Sequence, residues 1–486
     1  MSLAPTREKM SAVDTAWLRM DRPHNLMMIC GVLLFRETID LKLLRNLIRN
    51  RFLLFARFAQ RAVEAPGGAF WETDRDFDLR RHVVVARLPS PAGQSELQRF
   101  VSELIATPLS PQRPMWQFHL IAHYGGGSAL IARIHHSYAD GMALVRVMLS
   151  MTDASPNGPP AMPFGSQLRA NGKIDRALAP PGNAWSAAMK VGSTLLERGG
   201  ALLADPAKAV ACAARGSALT AEIGKLARMP QDSPTRFKGT PGKAKRVAWA
   251  PPLPLSEVKT LGRALGASIN DVLLSCVAGA IRRYLVGNGD AVAGVTLRAL
   301  VPVNLRSADD ACQLGNRFGL VFLDLPIGIE NPVERLYAVR ANMDALKGSQ
   351  QPILAMGLLA AMGAGPRALQ EALMQALSRK ASAVMTNVPG PQQPLYLAGA
   401  RIESLMFWVP QSGDIGMGVS ILSYDGNVQF GLLTDRRLCP DPERIIARFG
   451  PEFETLLLTT LMASWPRDGT LDPREAAVVA TAGLGR

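Results

Sequence analysis

Short apolar runs alternate with amphipathic stretches along this chain. Residues 26–35 are almost continuously apolar, which predicts a buried strand. Residues 41–55 carry apolar positions at helical spacing. Two strand-like runs, 116–124 and 129–135, flank Gly125-Gly126-Gly127 and predict a β-hairpin around a glycine turn. After Asp140-Gly141 the period becomes helical, with Leu144, Val147, Met148 and Met151 on one face. Residues 152 to about 180 are rich in Pro, Gly, Ala and Asn, a linker composition. Residues 184–228 return to helical spacing and read as a bridge between domains or as a helix lying on a membrane. From about 237 the mixed pattern resumes. Helices are predicted at 254–265, 268–285 and 333–347, and strands at 295–303, 320–325, 383–386, 416–423 and 428–433. The resulting expectation is an α/β architecture of two halves: residues 1–151, a partly helical linker 152–236, a second domain 237–470 and a tail 471–486.

Composition narrows this picture. The chain has 486 residues, 48% hydrophobic and 19% charged, which fits large buried cores or apolar ligands and argues against wholesale disorder. The formal net charge of +14 suits phosphates or an acidic membrane surface. The basic residues are scattered, without an aromatic-interleaved stripe or zinc-finger spacing, so nucleic acid is not the expected partner. The five cysteines, Cys30, Cys212, Cys276, Cys312 and Cys439, lie far apart, which suggests a reducing compartment and no cysteine-metal site. The N-terminus has no apolar signal core, and the most apolar stretch, 352–365, is too short to span a bilayer. Membrane contact is therefore expected to be peripheral.

All six histidines lie within the first 136 residues, so any imidazole chemistry belongs to the first half. His135-His136 ends an apolar strand and precedes a loop closed by Asp140-Gly141. Neighbouring strand residues point to opposite faces, so one histidine can face a cleft while the other packs inside. Asp140 can fold back to fix the loop, and Gly141 lets the chain turn into the next helix. A base held at a strand end suits proton abstraction. The competing structural explanation is a satisfied core histidine beside a helix-capping aspartate. A zinc site fits less well, since no third ligand sits at helical spacing. His135 and Asp140 also satisfy H-x-x-x-x-D, as in glycerol-phosphate acyltransferases, where the first histidine acts.

The run HHSYADG, residues 135–141, resembles the H-H-x-x-x-D-G signature of the coenzyme A-dependent acyltransferase superfamily. Six further segments narrow the resemblance to the wax ester synthase/diacylglycerol acyltransferase family. They are SAVDTAWLRMD (11–21), RPMWQFHLI (113–121), ASINDVLL (267–274), VPVNLR (301–306), GNRFG (315–319) and TNVPGPQQPLYLAGARI (386–402). The resemblance implies two chloramphenicol acetyltransferase-like domains with a cleft between them and the second histidine, His136, facing it as general base. The family's Asn-Asp pair maps onto Asn270-Asp271, and its Pro-Leu-Trp segment onto Pro114-Met115-Trp116. Met for Leu there is a near-isosteric change. Ser137 stands where many members carry Ala.

The remaining candidates follow from residue type and setting. Asn270, at the start of a helical run, either caps the helix or supplies an amide to orient His136 or stabilise an oxyanion. Asp271 fits the first-turn amides, with substrate contact as the alternative. Trp116 reads as a packed strand residue or the lining of an acyl channel. Arg306 and Arg317 read as salt-bridge residues or as ligands for coenzyme A phosphates. The 20 methionines suit core packing and adaptable walls. No G-x-S-x-G elbow occurs, so direct transfer without an acyl-enzyme is expected; the resemblance implies acyl-CoA as co-substrate, with no permanently bound cofactor or metal expected. The resemblance implies diacylglycerol or a long-chain alcohol as acceptor and a place at the inner face of the membrane or on lipid inclusions. The alternatives are another acceptor, or a non-catalytic lipid-body protein.

Overall fold

A computed structural model describes residues 7–158, 224–306 and 314–462. The first half runs β1 (Arg7–Lys9), α1 (Ala12–Met20), β2 (Met28–Phe35), α2 (Leu41–Asn50), β3 (Gln60–Ala65), β4 (Gly68–Thr73), α3 (Leu79–His82), β5 (Val83–Ala86), α4 (Gln94–Ile105), β6 (Trp116–Tyr124), β7 (Gly127–His135) and α5 (Gly141–Met151). The second half begins with β8 (Lys245–Trp249), β9 (Leu253–Pro254), α6 (Leu255–Ala264), α7 (Ile269–Val286), β10 (Leu297–Asn304), β11 (Phe318–Leu325), α8 (Pro332–Leu346), α9 (Gln351–Ala364) and α10 (Arg367–Ser378). It ends with β12 (Ala383–Pro389), β13 (Tyr396–Leu397), β14 (Ala400–Trp408), β15 (Met417–Tyr424), β16 (Asn427–Asp435) and α11 (Glu443–Met462).

Local signals place most boundaries. Asp40, Asp140, Ser268 and Asn331 each cap the helix that follows by accepting first-turn amides, which are otherwise unpaired. The helix expected over 41–55 stops at Asn50 and continues as two 3₁₀ turns. Arg51 leaves the helix to reach the Met151 carbonyl and Asp153, and Phe52 turns inward against Phe58 and Trp116.

Three sheets carry the fold. A six-stranded sheet has the order β13-β14-β2-β7-β6-β5, with fully buried β7 in its interior. A seven-stranded sheet has the order β11-β10-β12-β15-β16-β8, with β9 also on β16. A small sheet of β1, β4 and β3 completes the set. The second sheet packs one face on α6, α7, α8 and α11 through a continuous apolar core. Helices α1 and α9 pack together through Val13, Ala16 and Trp17 against Met356, Leu359 and Met362. At Gly363 a side chain would run into the Ala12 carbonyl, so glycine lets the two backbones approach.

The chain exchanges elements between the halves, which corrects the division drawn from sequence. Residues assigned to the second domain, β13 and β14, extend the first sheet, with β14 antiparallel to β2 from Ile402↔Phe35 to Trp408↔Cys30. Periodicity identifies a strand but not its partner. Residues 184–223 of the expected helical bridge lie outside the described residues, as do Cys212, Cys312 and the tail 471–486. Cys30, Cys276 and Cys439 are buried free thiols. The apolar stretch around 352–365 is the buried core helix α9. Among the described residues no single helix is long and apolar enough to cross a membrane.

Candidate active site

The two histidines leave the sheet in different directions. The His135 amide donates to the Met115 carbonyl on the β6 side, and the His136 amide to the Met27 carbonyl on the β2 side. Their peptides are thus pinned from both flanks. His135 packs inward, with Nδ1 2.8 Å from Ser137 Oγ and Nε2 3.8 Å from Asp21 Oδ1. Burial, and then the neighbouring His136, push its pKa down to about 3. His136 faces the other way and lines a cleft. Burial lowers its pKa to about 4, against the opposing pull of Asp140, its own carbonyl and Asn316, so the ring is neutral at pH 7. Its face stacks on Trp17, with ring centroids 3.9 Å apart and planes 16° apart.

Asp140 locks the loop behind this ring. Its Oδ1 accepts from the Ala143 amide at 2.9 Å and so caps α5. Its Oδ2 accepts from Arg306 Nη2 at 2.7 Å and from the Arg317 amide at 2.9 Å. Burial pushes this carboxyl up, but the Arg306 guanidinium and the two amides hold it below the usual range. The pair is almost wholly buried, with side chains 1% and 5% exposed. The Arg306 guanidinium also donates to the Gly315 carbonyl. The histidine loop of the first half is therefore tied to two segments of the second.

The cleft itself is walled mostly by the second half: Leu300, Pro302 and Asn304 of β10, Phe318 and Leu320 of β11, and Val384, Thr386, Asn387 and Val388 of β12. Two apolar cavities adjoin it. One, beside β2 and α5, shares Gly141, Val388 and Phe407 with the cleft. The other, beside α9, shares Trp17, Leu300, Leu320 and Ser412. A neutral imidazole therefore lines a largely apolar cleft that two apolar cavities adjoin.

Residues 10–273 match the wax ester synthase/diacylglycerol acyltransferase catalytic domain, and residues 314–457 match the C-terminal domain of the same family. This chain belongs to the wax ester synthase/diacylglycerol acyltransferase family. It is an acyltransferase. A putative diacylglycerol O-acyltransferase of Mycobacterium tuberculosis is 31% identical over 418 residues, covering 82% of this chain and 79% of the relative. A probable diacylglycerol O-acyltransferase of the same species is 29% identical over 395 residues, covering 79% and 81%. Among solved structures, the wax ester synthase/diacylglycerol acyltransferase of Marinobacter aquaeolei VT8 superposes with a TM-score of 0.65 at 23% identity, covering 93% of this chain and 99% of that one. The first condensation domain of the calcium-dependent antibiotic synthetase gives a TM-score of 0.56 at 14% identity, covering 94% and 96%. These two structures establish the shared two-domain α/β fold.

Within this acyltransferase the candidate residues fall into distinct settings. His136, Asp140 and Gly141 line the cleft. Half-buried Asn270 lies behind the wall, its Oδ1 accepting from Nδ2 of the cleft residue Asn387 at 2.5 Å. The four residues considered for substrate contact lie off the cleft lining. Trp116 is buried in the first core, donating from Nε1 to the Phe58 carbonyl at 2.7 Å, because its strand turns that face away from the cleft. Asp271 is buried and forms a capping box with Ser268. The Arg306 guanidinium is engaged by Asp140, so it does not stand open to a phosphate. Half-buried Arg317 contributes its backbone amide to the same carboxylate.

Three residues near His136 carry no role in the sequence reading: Trp17, Asp14 and Asn316. Asn316 Nδ2 donates to the His136 carbonyl at 2.8 Å and to Asp14 Oδ1 at 2.8 Å, and its amide donates to the same oxygen at 3.1 Å. Their only signal in the sequence is membership of the segments SAVDTAWLRMD and GNRFG.

Proposed function

We propose that this acyltransferase moves a long-chain acyl group from acyl-CoA to a long-chain alcohol or diacylglycerol, with His136 as general base. The observation that carries the reading is a neutral imidazole in a cleft with an apolar cavity on each side. Two chain-like substrates need two apolar recesses that meet at one base. The imidazole takes the hydroxyl proton as the alcohol oxygen attacks the thioester carbon. The tetrahedral oxyanion then collapses with cleavage of the C–S bond. The imidazolium returns its proton to the departing thiolate, leaving ester and free coenzyme A. Positioned general-base help contributes about 10²–10⁴-fold. The Asn270–Asn387 pair supplies an amide on the cleft wall for the oxyanion, a kind of contact worth about 10²–10³-fold.

No other cofactor enters this scheme. The ester products are insoluble, and the net charge of +14 favours anionic surfaces, so the enzyme works at a membrane face or a lipid inclusion without spanning it. Labelled palmitoyl-CoA offered with hexadecanol, dioleoylglycerol, a sugar and an amine tests the acceptor. Label in wax ester or triacylglycerol supports the reading. Label only in the sugar or amine product replaces the acceptor, and no transfer to any of the four removes the reading.

A further inference from the structure

We infer that Asp14 and Asn316 are positioning residues that hold the His136 peptide, and through it the imidazole, in the reactive orientation. The inference rests on His136 being the base. Two observations carry it. The His136 carbonyl is not part of a strand ladder, because β7 ends at His135. What it receives instead is the Asn316 side-chain amide. Asn316 in turn has its orientation imposed. One oxygen of Asp14 accepts from both its backbone amide and its side-chain amide, and that double contact decides which end of the carboxamide faces the histidine.

The local backbone is built for this contact. Gly315 has φ of +101°, a left-handed conformation that side chains disfavour, and an added Cβ would sit 3.5 Å from Asp14 Oδ2. An isolated parallel β-bridge joins Ala139 to Gly315, so the Asn316 turn and the histidine loop are held together. Asp14 is equally constrained. It is 4% exposed, and its amide donates to the helix-capping Ser11 hydroxyl at 3.0 Å. One helical turn further on, Trp17 covers the face of the His136 ring. Helix α1 thus fixes the base twice, through the ring by Trp17 and through the peptide by Asp14 and Asn316. A displacement of about 1 Å at a reacting group can cost about 10²-fold. Neither Asp14 nor Asn316 belongs to the cleft lining, so both act through the His136 peptide.

The test measures kcat, KM for palmitoyl-CoA and thermal unfolding in the full chain. Asn316→Ala and Asp14→Ala are expected to lower kcat by about 10–100-fold, with KM within about threefold. The double variant should be no slower than the slower single one, because both break the same link. Asp14→Asn keeps an acceptor oxygen and should recover most of the rate. Where Asp14→Ala fails to fold, Asp14→Asn and Asn316→Ser, which is too short to reach the carbonyl, carry the test. A kcat within threefold of wild type in the Asn316 variants overturns the inference, as does multiplication of the two losses in the double variant. A His136→Ala control separates the readings. Full activity in that variant removes the base itself, whereas an inactive His136→Ala beside a fully active Asn316→Ala removes only the relay.

Discussion

The two sides of His136 differ sharply. Behind its peptide, Asp14, Asp140, Arg306 and Asn316 hydrogen-bond to one another, to backbone groups and across the two halves of the chain. In front of its ring, the cleft lining is largely aliphatic and aromatic, and its titratable side chains among the described residues are His136 and Asp140. Asp140 is already engaged by Arg306. The polar groups are thus committed to holding the His136 loop, and the cleft presents one imidazole in a medium of low polarity. On the proposed mechanism proton transfer is confined to one place, because the other ionisable group of the lining has a partner.

The largest effect should come from the front. His136→Ala is expected to lower kcat at least about 10²-fold while unfolding near the wild-type temperature. An active, folded variant would remove the contrast altogether. Breaking the back is the next test. Arg306→Ala leaves Asp140 as a buried charge without its ion partner, and removal of one member of such a pair costs about 3–5 kcal/mol. Urea unfolding should register that loss, and an unchanged midpoint would mean the clamp is not structural.

Acidity sharpens the comparison. An unfolded histidine titrates near 6.5, whereas folded His136 and His135 are lowered to about 4 and about 3. Above pH 6.5 neither state binds these protons, so their contribution is constant. As pH falls below 6.5 the unfolded chain takes up protons that the fold refuses, and stability drops by up to about 1.4 kcal/mol per pH unit for each ring. The slope of unfolding free energy between pH 7 and 5 should flatten in His135→Gln/His136→Gln. An identical slope in that variant would show the rings to be solvated. The smallest effect belongs to a residue on neither side. Trp116→Phe removes the bond to the Phe58 carbonyl, which should cost about 1 kcal/mol and leave kcat and chain-length preference unchanged. A changed chain-length preference would put Trp116 back among the cleft residues.

What could be read from sequence tracks the distance over which each feature is specified. The β6–β7 hairpin, the histidine pair, Asp140 and Gly141 lie within about two dozen consecutive positions, and hydrophobic alternation plus turn chemistry place them. Asp140 was recognisable as the group that fixes the loop. Its partner Arg306 lies 166 positions away, and an arginine in VPVNLR reads as a salt-bridge residue without naming which carboxylate it meets. Asp14 and Asn316 are 302 positions apart and meet only because α1 docks on α9 and the Gly315 turn reaches across. No local period encodes that meeting. Trp116 lies at the opposite extreme. Its strand was evident, but which face of the sheet meets the cleft depends on the second half.

The crossing of β14 into the first sheet sets the order of events during synthesis. Strand β2 receives one neighbour from β7, about a hundred residues later, but its other edge stays open until residues 400–408 have left the ribosome. Such an edge invites pairing with other chains. The nascent first half must therefore travel unfinished, shielded or loosely ordered, while more than half the polypeptide is still to be made. A fragment ending near residue 151 would leave that edge open, so truncation there is expected to give an aggregating species and not a free-standing module.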